Sequence, residues 1–325
     1  MINLANEFAI GIDIGGTNTK YGIVNHRGQI LEKGELKTDE FRTIESYIDA
    51  LYDTIQPLID KHSDGEAKVK GIGIGAPNGN FYTGNIEYAP NLHWKGIIPV
   101  TRMVTAKFGL PCSLTNDANA AAVGEMEYGA ARGMRDFIMI TLGTGVGSGI
   151  VANGQLIYGH DGFAGELGHT VIRPGGRKHW GTDLNGSLEA YCSATGIVLT
   201  AIELLDTQPE KESLLRTYER DSLTSKEVFD CAQQGDEIAK ETYKITGQIL
   251  GESLANFIMF SSPEAIILFG GVIKAGDLIL YPTREHMEKN LLPIFRNKVK
   301  LIFSELKEAD AAILGASALV WEIRD

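Results

Sequence analysis

The sequence predicts an α/β protein built from two similar domains, and three observations carry that reading. Apolar strand-like runs ending in glycine-rich turns alternate with segments of helical periodicity, the pattern of α/β folds. The length of 325 residues exceeds what a single compact core usually holds. The most informative observation is an internal repeat. Asp136-Phe-Ile-Met-Ile-Thr-Leu-Gly-Thr-Gly-Val-Gly-Ser-Gly149 repeats the strand and glycine turn of Phe8-Ala-Ile-Gly-Ile-Asp-Ile-Gly-Gly-Thr-Asn-Thr-Lys20. Gly149-Ile-Val-Ala-Asn-Gly-Gln-Leu-Ile157 then echoes Gly22-Ile-Val-Asn-His-Arg-Gly-Gln-Ile30 with one turn residue fewer. Asp13 matches Thr141 and Gly28 matches Gly154, about 128 and 126 residues apart, a distance that means a duplicated domain rather than a solenoid.

Taken in order, the first run and the strand Tyr21-Gly-Ile-Val24 form a meander that turns at Asn25-His-Arg-Gly28 and continues from Gln29. Residues 41–62 read as an amphipathic helix with Ile44, Tyr47, Ile48, Leu51, Ile55 and Leu58 on its core face. Val69-Lys-Gly-Ile-Gly-Ile-Gly-Ala-Pro77 is a strand ending in a turn, and a loop through Ala89-Pro-Asn-Leu-His-Trp94 leads to a helix over 100–108. The apolar lead-in of residues 111–114 ends at Asn116-Asp117, where an alanine-rich helix begins. Residues 159–169 carry too many glycines for a helix. Helical patterns follow over 187–205, 226–233 and 236–260. Ala265-Ile-Ile-Leu-Phe-Gly-Gly271 is a buried strand ending in a glycine pair, 299–303 is another strand, and 310–323 is a closing helix.

Composition narrows the function. With 30 basic and 42 acidic residues the net charge is −12, which argues against nucleic acid and anionic membranes as partners. Residues 1–8 lack a basic segment and do not read as a secretory leader. No apolar run approaches the roughly 18 residues of a membrane span. Three cysteines, Cys112, Cys192 and Cys231, are odd in number and far apart, which suits reduced thiols in the cytoplasm.

Several polar residues each admit two readings. Asn116 or Asp117 caps the helix that follows, with the carboxylate held ionised by the helix dipole; Asp117 otherwise faces a cleft and accepts a proton from a substrate hydroxyl. The turn at Gly15-Gly16 is an ordinary hairpin, or a place where backbone N–H groups approach an anion with Thr17, Asn18 and Thr19 as added donors. Asp13, a carboxylate ending an apolar strand beside that loop, suits Mg²⁺ held through water. Asn91 is a turn residue or a sugar ligand, since its amide both donates and accepts. Glu166 and His169 are surface loop residues or part of a site. Two phosphate-type hairpins facing each other would grip one nucleotide from both sides.

Asp13-Ile-Gly-Gly-Thr17, Ala89-Pro-Asn-Leu92, Asn116-Asp-Ala-Asn119, Leu142-Gly-Thr-Gly-Val-Gly147, Ala164-Gly-Glu-Leu-Gly-His169 and Gly270-Gly271 occur in an order and spacing that resemble the ROK group of sugar kinases nearly end to end. The resemblance implies the two-domain, actin-like (duplicated ribonuclease H-like) ATPase fold with a central cleft. A small domain would comprise 1–117 and 308–325, and a large one 118–307. It implies Asp117 as general base and Asn91, Asn116, Glu166, His169 and Glu189 as sugar contacts. Gly15, Gly16, Thr17, Asn18 and Lys20, with Thr141, Gly143, Thr144 and Gly145, would hold the phosphates of ATP, and Gly270-Gly271 would lie near the adenosine.

The sequence departs from the family in one place. Many members bind zinc through the Gly-His histidine and a Cys-x-Cys-Gly-x-x-Gly-Cys loop, whereas here the stretch reads Gly175-Gly-Arg-Lys-His-Trp-Gly-Thr-Asp-Leu-Asn-Gly-Ser-Leu-Glu189. No structural zinc is expected, although His169, His179 and Asp183 are conceivable ligands by type. Hydrogen bonds and the packing of Trp180 are expected to hold the loop from which Glu189 hangs.

The expected activity is ATP- and Mg²⁺-dependent phosphorylation of glucose at the 6-hydroxyl, in a cytoplasmic homodimer. The alternatives are another hexose (N-acetylglucosamine, mannose or fructose) and a sugar-sensing regulator of the same family. The regulator is disfavoured because only twelve residues precede Asp13 and because the chain is acidic.

Overall fold

The computed structural model describes residues 7–63 and 68–322, so part of the 1–8 leader reading and the end of the 310–323 helix lie outside the described residues. The strands are β1 (Glu7–Ile14), β2 (Asn18–Asn25), β3 (Ile30–Lys37), β4 (Lys68–Gly75), the short pair β5 (Ile86–Glu87) and β6 (Ile97–Ile98), β7 (Cys112–Thr115), β8 (Phe137–Leu142), β9 (Val146–Ala152), β10 (Gln155–Leu156), β11 (Ala265–Phe269) and β12 (Lys300–Phe303). The helices are α1 (Ile44–His62), α2 (Val100–Phe108), α3 (Asp117–Tyr128), α4 (Glu189–Cys192), α5 (Ala194–Thr207), α6 (Ser225–Gln233), α7 (Glu237–Ser261), α8 (Asp277–Lys289) and α9 (Glu308–Ala318). Among the described residues no helix is long and apolar enough to cross a membrane.

The two large sheets have matching orders, β3-β2-β1-β4-β7 and β10-β9-β8-β11-β12. The internal repeat therefore appears as a repeated topology, a hairpin followed by parallel strands. The matched turn glycines agree as well: Gly28 and Gly154 adopt φ of 77° and 76°, open to glycine at no steric cost.

Residue contacts divide the chain into two units, the first comprising Met1–Met134, Gly149–Gly165 and Ser304–Asp325, the second Arg135–Ser148 and Glu166–Phe303. In the first unit, strands β1 and β4 each alternate isoleucine with small residues, so their two faces differ. Ile10, Ile12, Ile14, Ile72 and Ile74 pack on Tyr47, Leu51 and Ile55 of α1 and on Val100 and Val104 of α2. The opposite face is nearly bare, and α9 lies directly on it. A Cβ on Gly11 would stand 2.1 Å from the Ile313 carbonyl oxygen, and one on Gly73 only 1.9 Å from that of Ala316. Helix α3 in turn meets α9 where a Cβ on Gly124 would come within 2.8 Å of the Gly315 Cα. These close approaches bring the N-terminus of α3 to the strand ends that carry Asp13 and Gly75.

The second unit places the long helix α7 against α8. A Cβ on Gly247 or Gly251 would meet Pro282 Cγ at 2.5 Å or the Thr283 carbonyl at 2.3 Å, so a Gly-x-x-x-Gly spacing sets this crossing. A groove of about 310 Å³ beside α8 and β12, lined by Arg284, Met287, Lys300 and Ile302 among others, contains none of the expected site residues.

Helix boundaries depart from the periodicity at three places. Helix α1 starts at Ile44 because the Thr43 hydroxyl accepts the Ser46 N–H at 3.3 Å, and Ile59 rather than Leu58 completes its buried face. The 187–205 segment breaks at Ser193, whose extended backbone and hydroxyl cap α5 through the Gly196 N–H. The closing helix begins at Glu308 and tightens into a 3₁₀ turn over Leu319–Glu322.

Candidate functional site

In the first unit, Asn116 is the N-cap of α3, with extended backbone and a side chain that accepts the Ala118 N–H at 2.8 Å. Asp117 is the first helical residue, and its Oδ1 accepts the same N–H at 2.8 Å. Its side chain is open to solvent although protein crowds round it. That crowding reverses one expectation. Burial pushes the Asp117 carboxyl above its ordinary range, outweighing the Ala118 and Asp117 backbone N–H groups that lower it, so the helix end does not hold it more firmly ionised than usual.

Asp13, the last residue but one of β1, lies opposite Lys20 on β2 and Gly75 on β4. Burial first, then the charge of Asp117, raises its carboxyl to about 6, with Lys20 pulling the other way. The two acids are close neighbours: a Cβ on Gly75 would lie 3.7 Å from both the Asp117 Cα and Asp13 Oδ1. Gly75 was not singled out from the sequence. Strand alternation could have found it, since it shares the Asp13 face.

The loop after Asp13 turns on a Gly15 N–H to Asn18 carbonyl bond of 3.0 Å. Beneath it the Thr19 hydroxyl bonds the Tyr47 and Thr38 hydroxyls, each at 2.8 Å, in a fully buried network. The Thr17 carbonyl accepts the Thr38 N–H at 2.8 Å. Asn18 Oδ1 is buried without a partner, an unmet acceptor within the loop. Gly16 packs on the 89–94 loop, since a Cβ there would stand 2.5 Å from the Asn91 carbonyl oxygen. Asp13, Gly16, Asn91, Asn116 and Asp117 are thus tied to one another within this unit, with Asn91 exposed.

In the second unit, Thr141 is the last residue but one of β8, and its hydroxyl accepts the Gly147 N–H at 3.1 Å, closing the second glycine loop. The Gly143 N–H bonds the Gly145 carbonyl at 3.0 Å, and the Gly143 carbonyl accepts the Ala194 N–H at 2.8 Å. A Cβ on Gly143 would meet nothing within 4 Å, so no protein neighbour demands glycine there. Thr144 is exposed. Gly270, at φ 106°, sits against the same strand end, where its Cβ would lie 2.5 Å from the Leu142 carbonyl oxygen, which brings Gly270-Gly271 beside the loop.

Glu189 is pinned at both oxygens. Oε1 lies 2.5 Å from His179 Nε2, and Oε2 accepts the Val146 N–H at 2.6 Å. Glu166 is exposed, with its Oε2 3.9 Å from His169 Nε2. One possible ligand atom from each of His169, His179 and Glu189 lies within 4.8 Å of the others. The conceivable zinc set of His169, His179 and Asp183 is corrected here: Asp183 is exposed and faces Lys178 at 3.7 Å, and Glu189 takes its place in the cluster. Trp180 stacks on His179 with ring centroids 4.3 Å apart, as one wall of the loop, but is itself 46% exposed.

The model of the ROK family matches residues 9–323. The chain belongs to the ROK family. Its fold is the actin-like ATPase fold of the ROK sugar kinases. The chain is 34% identical to the glucokinase of Halalkalibacterium halodurans over 318 residues, 98% of this chain and 96% of that one. Among solved structures it is similar to a ROK glucokinase from Streptomyces griseus in complex with glucose and AMPPNP, with a TM-score of 0.78 and 32% identity, covering 97% of this chain and 100% of that chain. ROK relatives also include regulators, among them the xylose repressor of Caldicellulosiruptor bescii, 29% identical over 96% of this chain and 77% of the repressor.

Proposed function

We propose that the chain is an ATP-dependent hexose kinase acting on the 6-hydroxyl of glucose, with Asp117 as general base. One observation carries this reading: Asp117 is open to solvent at the start of α3, beside the Asp13 carboxyl and in the unit that also holds Asn91 and the first glycine loop. The similarity to glucokinases over nearly the whole chain supports it.

In the proposed reaction the sugar O6 attacks the γ-phosphorus of ATP, the O6–P bond forms, and the bond to the β,γ-bridging oxygen breaks. ADP leaves with the electron pair, and the O6 proton passes to Asp117. Phosphoryl transfer through a loose transition state depends mainly on positioning and charge neutralisation, so a carboxylate suffices as base. Its upward-shifted carboxyl is a stronger proton acceptor than an ordinary aspartate. Asn91, Asn116, Glu166, His169 and Glu189 would engage the other hydroxyls. A sugar lacking one of these hydroxyls would leave its partner unpaired in the complex, a source of specificity.

The glycine loops would supply backbone N–H groups to the phosphates, and the open space beside Gly143 suits a ligand's approach. The Asp13 carboxylate at the end of the strand, beside the first glycine loop, is a hard-oxygen donor that fits Mg²⁺ and would hold it through water. Mg²⁺ held there would neutralise the charge of the transferring phosphate. By resemblance to the family the protein would work as a cytoplasmic homodimer, which sedimentation would test.

The test is ADP release with ATP and Mg²⁺ over glucose, mannose, fructose and N-acetylglucosamine, compared by kcat/KM. A strong preference for glucose is expected. Comparable rates across the panel would replace glucokinase by a broad hexose kinase, and binding without turnover on any sugar would favour a sensor.

A further inference from the structure

We infer that His179 is a positioning residue that holds Glu189 against the second glycine loop in a pose that leaves it able to accept a sugar hydroxyl. Glu189 opens α4, a helix of four residues whose N-cap, Leu188, offers no side-chain bond, so the backbone alone fixes this carboxylate poorly. Two outside contacts do so instead. The Val146 N–H bonds Oε2 at 2.6 Å, and a Cβ on Gly145 would lie 2.5 Å from that oxygen, so the loop backbone rests on the carboxylate. His179 holds the other oxygen.

The imidazole is itself held by its surroundings. It is 4% exposed, Trp180 stacks on one face, and His169 stands edge-on with centroids 5.8 Å apart. Its Nδ1 accepts the Gly181 N–H at 3.0 Å. A nitrogen that accepts carries no proton, so the ring proton lies on Nε2 and is donated to Glu189 Oε1. The same hydrogen-bond pattern argues against a metal among His169, His179 and Glu189, since Nε2 in this tautomer has no lone pair to give. Each Glu189 oxygen keeps a second lone pair, so the carboxylate can still accept a sugar hydroxyl while it is gripped. A displacement of Glu189 would be felt by the sugar and by the Val146 loop together.

The inference rests on the proposed role of Glu189 in sugar binding and deepens it. The experiment is calorimetric titration of glucose and, separately, of a non-hydrolysable ATP analogue into wild type, His179→Ala, His179→Gln, Glu189→Gln and the His179→Ala/Glu189→Gln double variant, with elemental analysis of wild type. Glucose affinity should fall roughly 10- to 100-fold in His179→Ala, as for loss of a hydrogen bond to a charged group. Analogue affinity should fall several-fold. His179→Gln, whose amide N–H can reach the Nε2 position, should recover part of both. The double variant should bind no more weakly than Glu189→Gln alone, because a residue acting only through Glu189 has nothing further to lose. Additive losses in the double variant, or unchanged glucose affinity in His179→Ala, would overturn the inference. So would one equivalent of transition metal in wild type. Wild type that bound glucose without turning over any sugar would overturn the kinase reading alone. Wild type that bound no hexose would overturn both.

Discussion

Replacing Asp13 by asparagine should stabilise the ligand-free protein at neutral pH while disabling it. Asp13 moves from an ordinary 3.8 to about 6 in the fold. A carboxyl raised on folding contributes stability that is present below its unfolded pKa and is lost as pH rises through the folded one, because the native state then holds a proton that the unfolded chain has released. Each tenfold change in proton affinity corresponds to about 1.4 kcal/mol, so ionised Asp13 costs roughly 3 kcal/mol at pH 7, or about half that once water reaching the partly exposed group is allowed for. Asparagine removes this cost. Spread over a chain of 325 residues, with unfolding entropy of about 2 cal/mol/K per residue, the gain is about 2–4 °C in Tm. Scanning calorimetry of both proteins at pH 7 and pH 4 measures it. The variant's advantage should be clear at pH 7 and shrink below about 1 kcal/mol at pH 4, since pH 4 lies close to the unfolded value of 3.8 and releasing the proton there stabilises the unfolded chain little. An equal advantage at both pH values, or none at pH 7, would refute the burial of a charged Asp13. The same variant should bind Mg²⁺-ATP more weakly and turn over far more slowly.

Asp117→Asn keeps the acceptor for the Ala118 N–H but cannot take a proton, so kcat should drop about 10²- to 10⁴-fold with glucose affinity within about tenfold; a large loss of affinity with kcat preserved would end the general-base role. In wild type, kcat/KM should fall as pH drops below about 6, on an acid limb set by the Asp13–Asp117 pair rather than near 3.8, which a pH–rate profile would show. Gly16→Ala must move the 89–94 loop, because its Cβ would stand 2.5 Å from the Asn91 carbonyl oxygen, so KM for the sugar should rise at least several-fold in steady-state kinetics. Gly73→Ala places a Cβ 1.9 Å from the Ala316 carbonyl and should destabilise the first unit by roughly 1–3 kcal/mol in urea unfolding.

Much of this protein is set locally. The repeat was legible because two hairpins with the same turn chemistry need the same residues, so Gly28 and Gly154 announce one φ at matched positions. The alternation of Ile and Gly in β1 and β4 marks an apolar face and a bare one. The apolar lead-in before Asn116-Asp117 places the helix start within one residue, since the cap and the first turn are neighbours in the chain. What remained hidden depends on groups distant in sequence.

The fate of the Asp117 proton could not be read from its helix position, because the local dipole and the burial imposed by distant chain act in opposite directions and burial prevails. The zinc-loop departure showed which ligands were missing but not that His179 and Val146, 10 and 43 residues from Glu189, take hold of its two oxygens. Gly75 looks like any strand-end glycine until Asp13 and Asp117 are brought to either side of it. Sequence by itself determined the duplicated α/β fold and the short-range chemistry of its loops, since turns, caps and periodicity are properties of neighbouring residues. Tertiary structure alone decided the state of the acids and the support of Glu189, because desolvation and long-range hydrogen bonds exist only once separate segments are packed together.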